Sequence, residues 1–434
     1  MSARKRVSLT VQPLIVQKFG GTSMGSIERI KSAAARALAT QRDGHRVVVI
    51  VSAMSGETNR LLQLAKDVAP IPSTREMDAL AATGEQVSSA LMAIAIQSLG
   101  GRARSFTGQQ MKILTDSAFT KARIKTIDAG RVLSSVEDGE IAVVAGFQGV
   151  DDEGNITTLG RGGSDTSAVA IAAAIQSGLN EKVVCEIYTD VDGVYTTDPN
   201  VCPTAKKIER ISYEEMLELA SLGAKVLQIR SVEMAMKYGV PVHVRSSFSS
   251  APGTMVTGEG ALEGVVVTGV AYDKGEARVM LVGVLDKPGV VAQIFGDLAR
   301  ENVSVDMIIQ NLPSAGAGDA ASRTDVTFTV AKTDLARVRG VIDTVGSNVS
   351  ALGVRYDEDI VKVSIVGLGM RSHAGVAAKM FRILADEGIN IQAISTSEIK
   401  VSCLVATKYT ELAVRSLHDG FALGAEAREE HGGA

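Results

Sequence analysis

A chain of 434 residues is long enough for two to four domains, and its 45% hydrophobic and 22% charged residues are ordinary for a globular protein. A net charge of -4 offers no basic surface for nucleic acid, and no apolar run approaches the ~20 residues that cross a bilayer, so neither nucleic acid nor membrane is expected as a partner. Three cysteines (Cys185, Cys202, Cys403) fit neither a disulfide framework nor a metal-ligand spacing, which points to a reducing cytoplasm and to no resident metal.

The N-terminal MSARKRVSLT carries basic residues without an apolar signal core and reads as a frayed tail. Beyond it, strand and helix patterns alternate for about 250 residues. Leu14–Phe19 is a strand. Ser26 can cap a helix through Ile30, Ala34 and Leu38. Arg46–Val51 is almost wholly apolar, as a strand buried on both faces requires. Helices follow at 59–68 and 75–98, and buried strands at Ile141–Ala145 and 183–188. The run 164–177 is a helix of small residues suited to close packing on a sheet. This alternation predicts a three-layer α/β domain, 13–250, with a mainly parallel sheet.

Residues 246–264 are rich in Ser, Gly and Pro and read as a domain boundary. An internal repeat follows. Asp286-Lys287-Pro288-Gly289-Val290-Val291 precedes Phe295, Leu298 and Ala299; Ser372-His373-Ala374-Gly375-Val376-Ala377 precedes Phe381, Leu384 and Ala385, at a constant offset of 86. Each copy reads strand, glycine turn, helix, strand, with strands at 279–285, 324–331, 360–368 and Lys400–Ala406. Two α+β, ferredoxin-like modules are expected, at 265–350 and 351–425. The stretch 313–322 has no apolar anchor and reads as an excursion from the first module.

Two glycine turns carry the chemistry. In Lys18-Phe19-Gly20-Gly21-Thr22-Ser23 a lysine ends a strand, and the glycines let backbone amides approach a phosphate. In Arg161-Gly162-Gly163-Ser164-Asp165 the arginine offers a fork for a carboxylate or phosphate, Ser164 can cap the next helix, and Asp165 lies in its first turn. Asp165 is either a dipole-favouring surface residue or the partner that orients Lys18 or holds magnesium. A third element, Tyr188 to Pro199 (YTDVDGVYTTDP), is a nucleotide-binding hairpin or a plain turn; Asp190, Asp192 and Asp198 lack the closing Glu of a calcium loop. No G-x-x-x-x-G-K-[ST] occurs, so the chain is not a P-loop NTPase.

Together with VSAMSGETN (51–59), TGE (83–85), FTGQQ (106–110), AGFQG (145–149), GAKVL (223–227) and VPVHVRSS (240–247), these stretches resemble the amino acid kinase family, and within it the aspartate kinases; the C-terminal modules resemble tandem ACT domains. The resemblance runs from Lys18 to about residue 425. It implies transfer of the ATP γ-phosphate to L-aspartate, opening the route to lysine, threonine and methionine, with Mg²⁺ carried by the nucleotide. It makes Lys18 and Asp165 the catalytic pair. Ser52, Thr58, Glu85, Arg161, Gly162, Gly163 and Ser164 would hold aspartate. Lys18, Phe19, Gly20, Gly21, Thr189, Asp190, Tyr195, Asp198 and Lys225 would surround ATP.

In the ACT modules, Asp286, Lys287, Pro288, Gly289, Val290, Val291, Asn302, Val305, Asp306, Gln310 and Asn311, with Asn390, Ile391, Thr396 and Ser397 of the second copy, are the expected contacts for lysine and/or threonine. Two departures stand out: Ala374 where His-Pro-Gly is usual, and Asn200 where relatives often carry Arg. Edge strands in these modules need partners, so a homodimer or tetramer through them is expected. Acetylglutamate or uridylate kinase, which lack the repeat, and a non-catalytic amino-acid sensor are the competing readings; Lys18 and Asp165, both present, argue against the sensor.

Overall fold

The computed structural model describes residues 12–222, 226–258, 266–310 and 322–425. The expected tail at 1–10, the excursion as far as residue 321, Lys225 and Asn311 lie outside them. The chain divides into two compact units. The first comprises residues up to Tyr195, Lys207–Ser221 and the stretch after residue 225 as far as 258; the second comprises Thr196–Lys206 and the repeat.

The first unit runs β1 (Leu14–Phe19), α1 (Ile27–Arg42), β2 (Arg46–Val51), α2 (Glu57–Val68), α3 (Thr74–Ser98), β3 (Ala103–Phe106), β4 (Ile113–Thr115), β5 (Ile124–Ile127), α4 (Gly130–Glu137), β6 (Ile141–Ala145), β7 (Gln148–Val150), β8 (Ile156–Thr158), α5 (Gly163–Leu179) and β9 (Val184–Thr189). It continues through β10 (Arg210–Ser212), α6 (Tyr213–Ser221), α7 (Ile229–Tyr238), β11 (Val242–Ser246) and β12 (Thr254–Thr257). Eight strands form one sheet in the order β10-β12-β11-β9-β1-β2-β6-β3, parallel throughout except for β11 against β12. The apolar runs RVVVIV and IAVVA are its buried centre, as sequences without alternation must be.

Helices cover both faces. Ser26 caps α1 by accepting from the Arg29 N–H (3.3 Å). Ile30, Ala34 and Leu38 of α1 pack with Met92 and Ile96 of α3 over Phe19, Val49 and Val51. α5 covers the other face. α3 is the one described helix long and apolar enough to cross a membrane, but it interrupts that character with Asp78 and Glu85 and buries both against this unit. A second sheet, β5-β4-β7-β8, was not foreseen. β12 belongs to the large sheet although it lies in the Ser/Gly/Pro-rich stretch read as a boundary; Thr254 holds it there, donating to the Ile208 carbonyl (2.6 Å) and accepting from the Val194 N–H (2.8 Å).

The second unit contains β13 (Gly269–Asp273), β14 (Glu276–Leu285), α8 (Val290–Arg300), β15 (Val305–Gln310), β16 (Arg323–Ala331), α9 (Leu335–Asn348), β17 (Gly353–Asp357), β18 (Ile360–Val366), α10 (Val376–Asp386), β19 (Ala393–Thr396), β20 (Lys400–Ala406) and α11 (Thr410–Gly420). Two antiparallel sheets form, β15-β16-β14-β17 and β13-β18-β20-β19, each with its own apolar core. The modules are not cut cleanly at 350. β17 pairs with β14 and completes the first, while β13, ahead of the first module, pairs with β18 and fills the matching place in the second. The first module is therefore inserted between the strands of the second. The two glycine turns keep the same left-handed backbone, φ 94° at Gly289 and 91° at Gly375, so Ala374 leaves the turn unchanged.

Candidate active site and effector cavity

The sheet ladder brings four loops to one edge. Past the C-terminal ends of the strands, the Ser52 N–H donates to the Phe19 carbonyl (3.1 Å), Gly146 to Val51 (3.0 Å), Gly20 to Tyr188 (3.2 Å) and Ser247 to Thr189 (2.8 Å). The chain steps from β1 to β2 and β6 on one side and later to β9 and β11 on the other. The strand order thus reverses between β1 and β9, where open α/β sheets form their ligand crevice.

Lys18 sits at that reversal. It is buried, and its Nζ lies 2.5 Å from Asp165 Oδ1 in the first turn of α5. Asp165 is thus paired with Lys18 and mostly buried rather than standing as a free surface residue. A side chain on Gly20 would come within 3.3 Å of Lys18 Nζ, and one on Gly21 within 3.3 Å of the Ala53 carbonyl. These turns keep the backbone free to approach a ligand. Phe19 is buried and stacks on Tyr188 (centroids 4.9 Å apart), so of this residue only the backbone can face the crevice.

Gly162, not Ser164, is the N-cap of α5: it holds a left-handed φ of 69° with no side-chain cap bond, and the helix begins at Gly163. Ser164 instead lies buried in the first turn, beneath Gly146. α5 therefore presents an uncapped N-terminus beside Lys18, a natural seat for an anion. Arg161 is exposed at its mouth.

α3 delivers Glu85. A Cβ at the neighbouring Gly84 would lie 2.9 Å from Ala53 Cβ, so only glycine lets the helix meet the loop after β2. Glu85 Oε1 accepts the Ala53 N–H (3.0 Å), while its buried Oε2 has no partner. Burial pushes the carboxyl up to about 7, against the pull of that backbone bond. An orphaned buried carboxylate oxygen suits an incoming ammonium. Ser52 and Thr58 flank this loop, both half-buried.

After β9, Thr189 Oγ1 donates to Asp190 Oδ1 (3.1 Å) and the Tyr195 hydroxyl donates to Asp192 (2.8 Å), which also pairs with Lys207 (3.3 Å). Asp198 stands apart from this group: it belongs to the second unit, accepting from Asn200 and from the Tyr272 hydroxyl (3.1 Å).

In the second unit Asp286, Lys287, Pro288, Gly289, Val291 and Gln310 line an open cavity of about 420 Å³. Val290 points instead into the module core. Asn302 has a left-handed φ of 55° where the second copy has Gly388 (67°), so its residue type answers a turn at the end of α8. Asp306 is held by Lys362. Val305 starts β15 half-buried; Asn390 and Ile391 lead into β19, which Thr396 ends, and the Ser397 N–H closes a turn on the Lys400 carbonyl (2.8 Å).

Comparison with known proteins fits this geometry. Residues 13–246 match the amino acid kinase family, and 278–346 and 363–421 match ACT domains. An aspartate kinase of Stutzerimonas stutzeri is 53% identical over 416 residues, covering 95% of this chain and 98% of that protein. The chain belongs to the aspartate kinases. Among solved structures, E. coli aspartokinase III with aspartate and ADP superposes with a TM-score of 0.77 at 27% identity, covering 94% of this chain and 99% of that one. The same enzyme with lysine and aspartate gives 0.73 at 26% identity, covering 94% and 99%.

Several supporting residues escaped the sequence reading. Asp78 is buried and accepts from the Thr120 N–H (2.8 Å), the Thr158 N–H (2.8 Å) and Thr158 Oγ1 (2.7 Å). Arg230 donates to the carbonyls of Leu159 (2.5 Å) and Ala122 (3.0 Å). Both fasten the strand and turn leading into Arg161-Gly162-Gly163. The one signal for Asp78 is that it and Glu85, seven apart, fall on the buried stripe of α3; Arg230 had none.

Proposed function

We propose that the chain transfers the γ-phosphoryl group of Mg-ATP to the side-chain carboxylate of L-aspartate, giving 4-phospho-L-aspartate, at the crevice over Lys18 and α5. The observation that carries this reading is Glu85: a buried carboxylate with one oxygen unpaired, bonded to the loop after β2 at the same end of the sheet as Lys18 and the uncapped start of α5. That set suits an amino acid at one end and phosphoryl oxygens at the other. E. coli aspartokinase III, its structural neighbour, was solved with aspartate and ADP.

The acceptor carboxylate, pKa about 3.9, is ionised at neutral pH, so no general base is needed and no histidine stands in these loops. The chain's task is to align two anions and offset charge. Lys18, held by Asp165, aims its ammonium at the transferring group. The first amides of α5 and the Gly20-Gly21 turn supply neutral donors. Arg161 clamps the substrate α-carboxylate, and Glu85 receives the ammonium. Asp165 is committed to Lys18, and the one described convergence of Cys, His and carboxylate ligand atoms, at Cys202, His418 and Asp419, lies in the second unit. Neither offers magnesium an oxygen-rich cage at the crevice, which is consistent with an ion that would arrive held by the nucleotide's phosphates and would supply further charge neutralisation when bound.

The cavity beside Asp286–Gly289 is read as an effector site for lysine and/or threonine, and the edge strands β15 and β19 as contacts of a homodimer or tetramer. The lysine complex of the E. coli neighbour supports the first; exposed Ile308 and Ile394 support the second. The three unpaired buried cysteines suit a cytoplasmic enzyme. A hydroxamate assay with aspartate and Mg-ATP, with lysine and threonine added singly and together, tests the reading. Acyl-phosphate formation lost in Lys18→Ala and reduced by an amino acid is the expected result; none in the native enzyme would overturn it.

A further inference from the structure

Thr196–Lys206 follows directly on the Asp190–Tyr195 loop in sequence, yet it is built into the regulatory unit. Its base is closed in the first unit by the Tyr195–Lys207 bridge and by the Ile208 N–H on the Val194 carbonyl (2.8 Å). Its body is held by β13 and α11. The Val270 N–H donates to the Thr196 carbonyl (2.7 Å), the Tyr272 hydroxyl to Asp198 (3.1 Å), and Arg415 Nε to the Val201 carbonyl (2.6 Å). Val201 also packs on the core of the second module.

Thr196 is the junction. Its Oγ1 accepts the Lys206 N–H (3.0 Å) and lies 2.9 Å from Nε2 of His418, a fully buried residue of α11. The hydroxyl proton is available to Nε2, and a neutral imidazole protonated on Nδ1 would accept it. Burial, against the pull of Asp419, keeps the imidazole below its usual range and agrees with that neutral form. A surface strap would need no such bond. Here a buried hydroxyl–imidazole pair fixes the first residue after a loop whose Thr189, Asp190 and Tyr195 are read as nucleotide contacts.

We propose that the Thr196–His418 hydrogen bond is a positioning element for the nucleotide, through which the second ACT module sets the affinity of the Asp190–Tyr195 loop for Mg-ATP. The inference rests on the nucleotide role given to that loop under the proposed function. Neither residue touches substrate; both act through the loop. Loss of the bond changes how the loop is presented and leaves the aspartate contacts on Ser52 and Glu85 as they are.

The test is steady-state kinetics of the full-length enzyme with each substrate varied separately. Thr196→Val removes the hydroxyl and keeps the shape. It is expected to raise KM for Mg-ATP about five-fold, the equivalent of one hydrogen bond, with KM for aspartate unchanged. Thr196→Ser should restore the native value, and His418→Leu combined with Thr196→Val should be no worse than the poorer single variant. If Thr196→Val melts below the assay temperature, Thr196→Ala replaces it. An unchanged KM for Mg-ATP in a folded variant, an equal rise in both KM values, or additive effects in the double variant would overturn the proposal. Asp190→Ala separates the two levels. An unchanged KM for Mg-ATP there sinks the nucleotide reading itself; a raised value there with Thr196→Val unaffected sinks only the coupling.

Discussion

Glu85 is a buried carboxyl with one unpartnered oxygen, and the role proposed for it makes opposite demands on folding and on binding. Burial raises its pKa from the ordinary 4.5 to about 7, so the folded chain holds the proton more tightly than the unfolded one. The associated stability is fully present below about pH 4.5 and is lost as pH rises through about 7, up to ~3 kcal/mol in all. The ligand-free melting temperature should therefore fall between pH 5 and pH 8, and Glu85→Gln should flatten that fall. Under the proposed function, aspartate binding should have the opposite sign, because the substrate ammonium would need the ionised carboxylate. kcat/KM for aspartate should drop as pH falls below about 7, and Glu85→Gln should raise KM for aspartate ten-fold or more at pH 8. A pH-independent melting temperature in the native chain, or a native KM in Glu85→Gln, would remove Glu85 from the site. The TGE motif made Glu85 legible through resemblance. That it is buried with a free oxygen was not, because burial is decided by how closely Gly84 lets α3 approach Ala53.

At the scale of elements, the entry to α5 is the least tolerant turn. A Cβ at Gly162 would sit 1.7 Å from Gln228 Cγ, with φ at 69°, and one at Gly163 would press to 2.8 Å on the Phe147 ring. Gly162→Ala should lose about 1–2 kcal/mol in urea unfolding and depress kcat/KM together with it, since strain and displacement of Gln228 act on the same turn. Lost stability with native kinetics would mean the turn does not position substrate. The elements that were legible are those with one dominant signal: wholly apolar runs for β2 and β6, a capped periodic pattern for α1. Those missed had none. β4, β5, β7 and β8 are only three or four residues long, and β5 is partly exposed along its whole length. β12 hid in a Ser/Gly/Pro-rich stretch because its place depends on Thr254 bonding across the unit rather than on local pattern.

At the scale of the whole molecule, the repeat was legible from its constant offset, but the exchange of strands around it was not. β13 and β17 are both short and β-competent, and which sheet each joins is set by distant partners. That exchange places Lys362 of β18 against Glu276 of β14 and Asp306 of β15, so one buried lysine joins the two modules. Burial pushes the Glu276 carboxyl up, and Lys362 is the cation that draws it back. Lys362→Met would leave Glu276 buried without that cation, a loss of about 3–5 kcal/mol where Glu276 must stay ionised. The sign follows from the raised pKa: in the variant, Glu276 is tolerated protonated at low pH, and stability is lost as pH rises. The melting temperature of Lys362→Met should therefore fall further below native at pH 8 than at pH 5, and Glu276→Gln added to it should recover part of the difference. A pH-independent deficit would show that the lysine acts through its aliphatic stem alone. Because Asp306 borders the same lysine, the variant should also change the concentration of lysine or threonine needed for half-inhibition, while leaving KM for aspartate measured without effector near native.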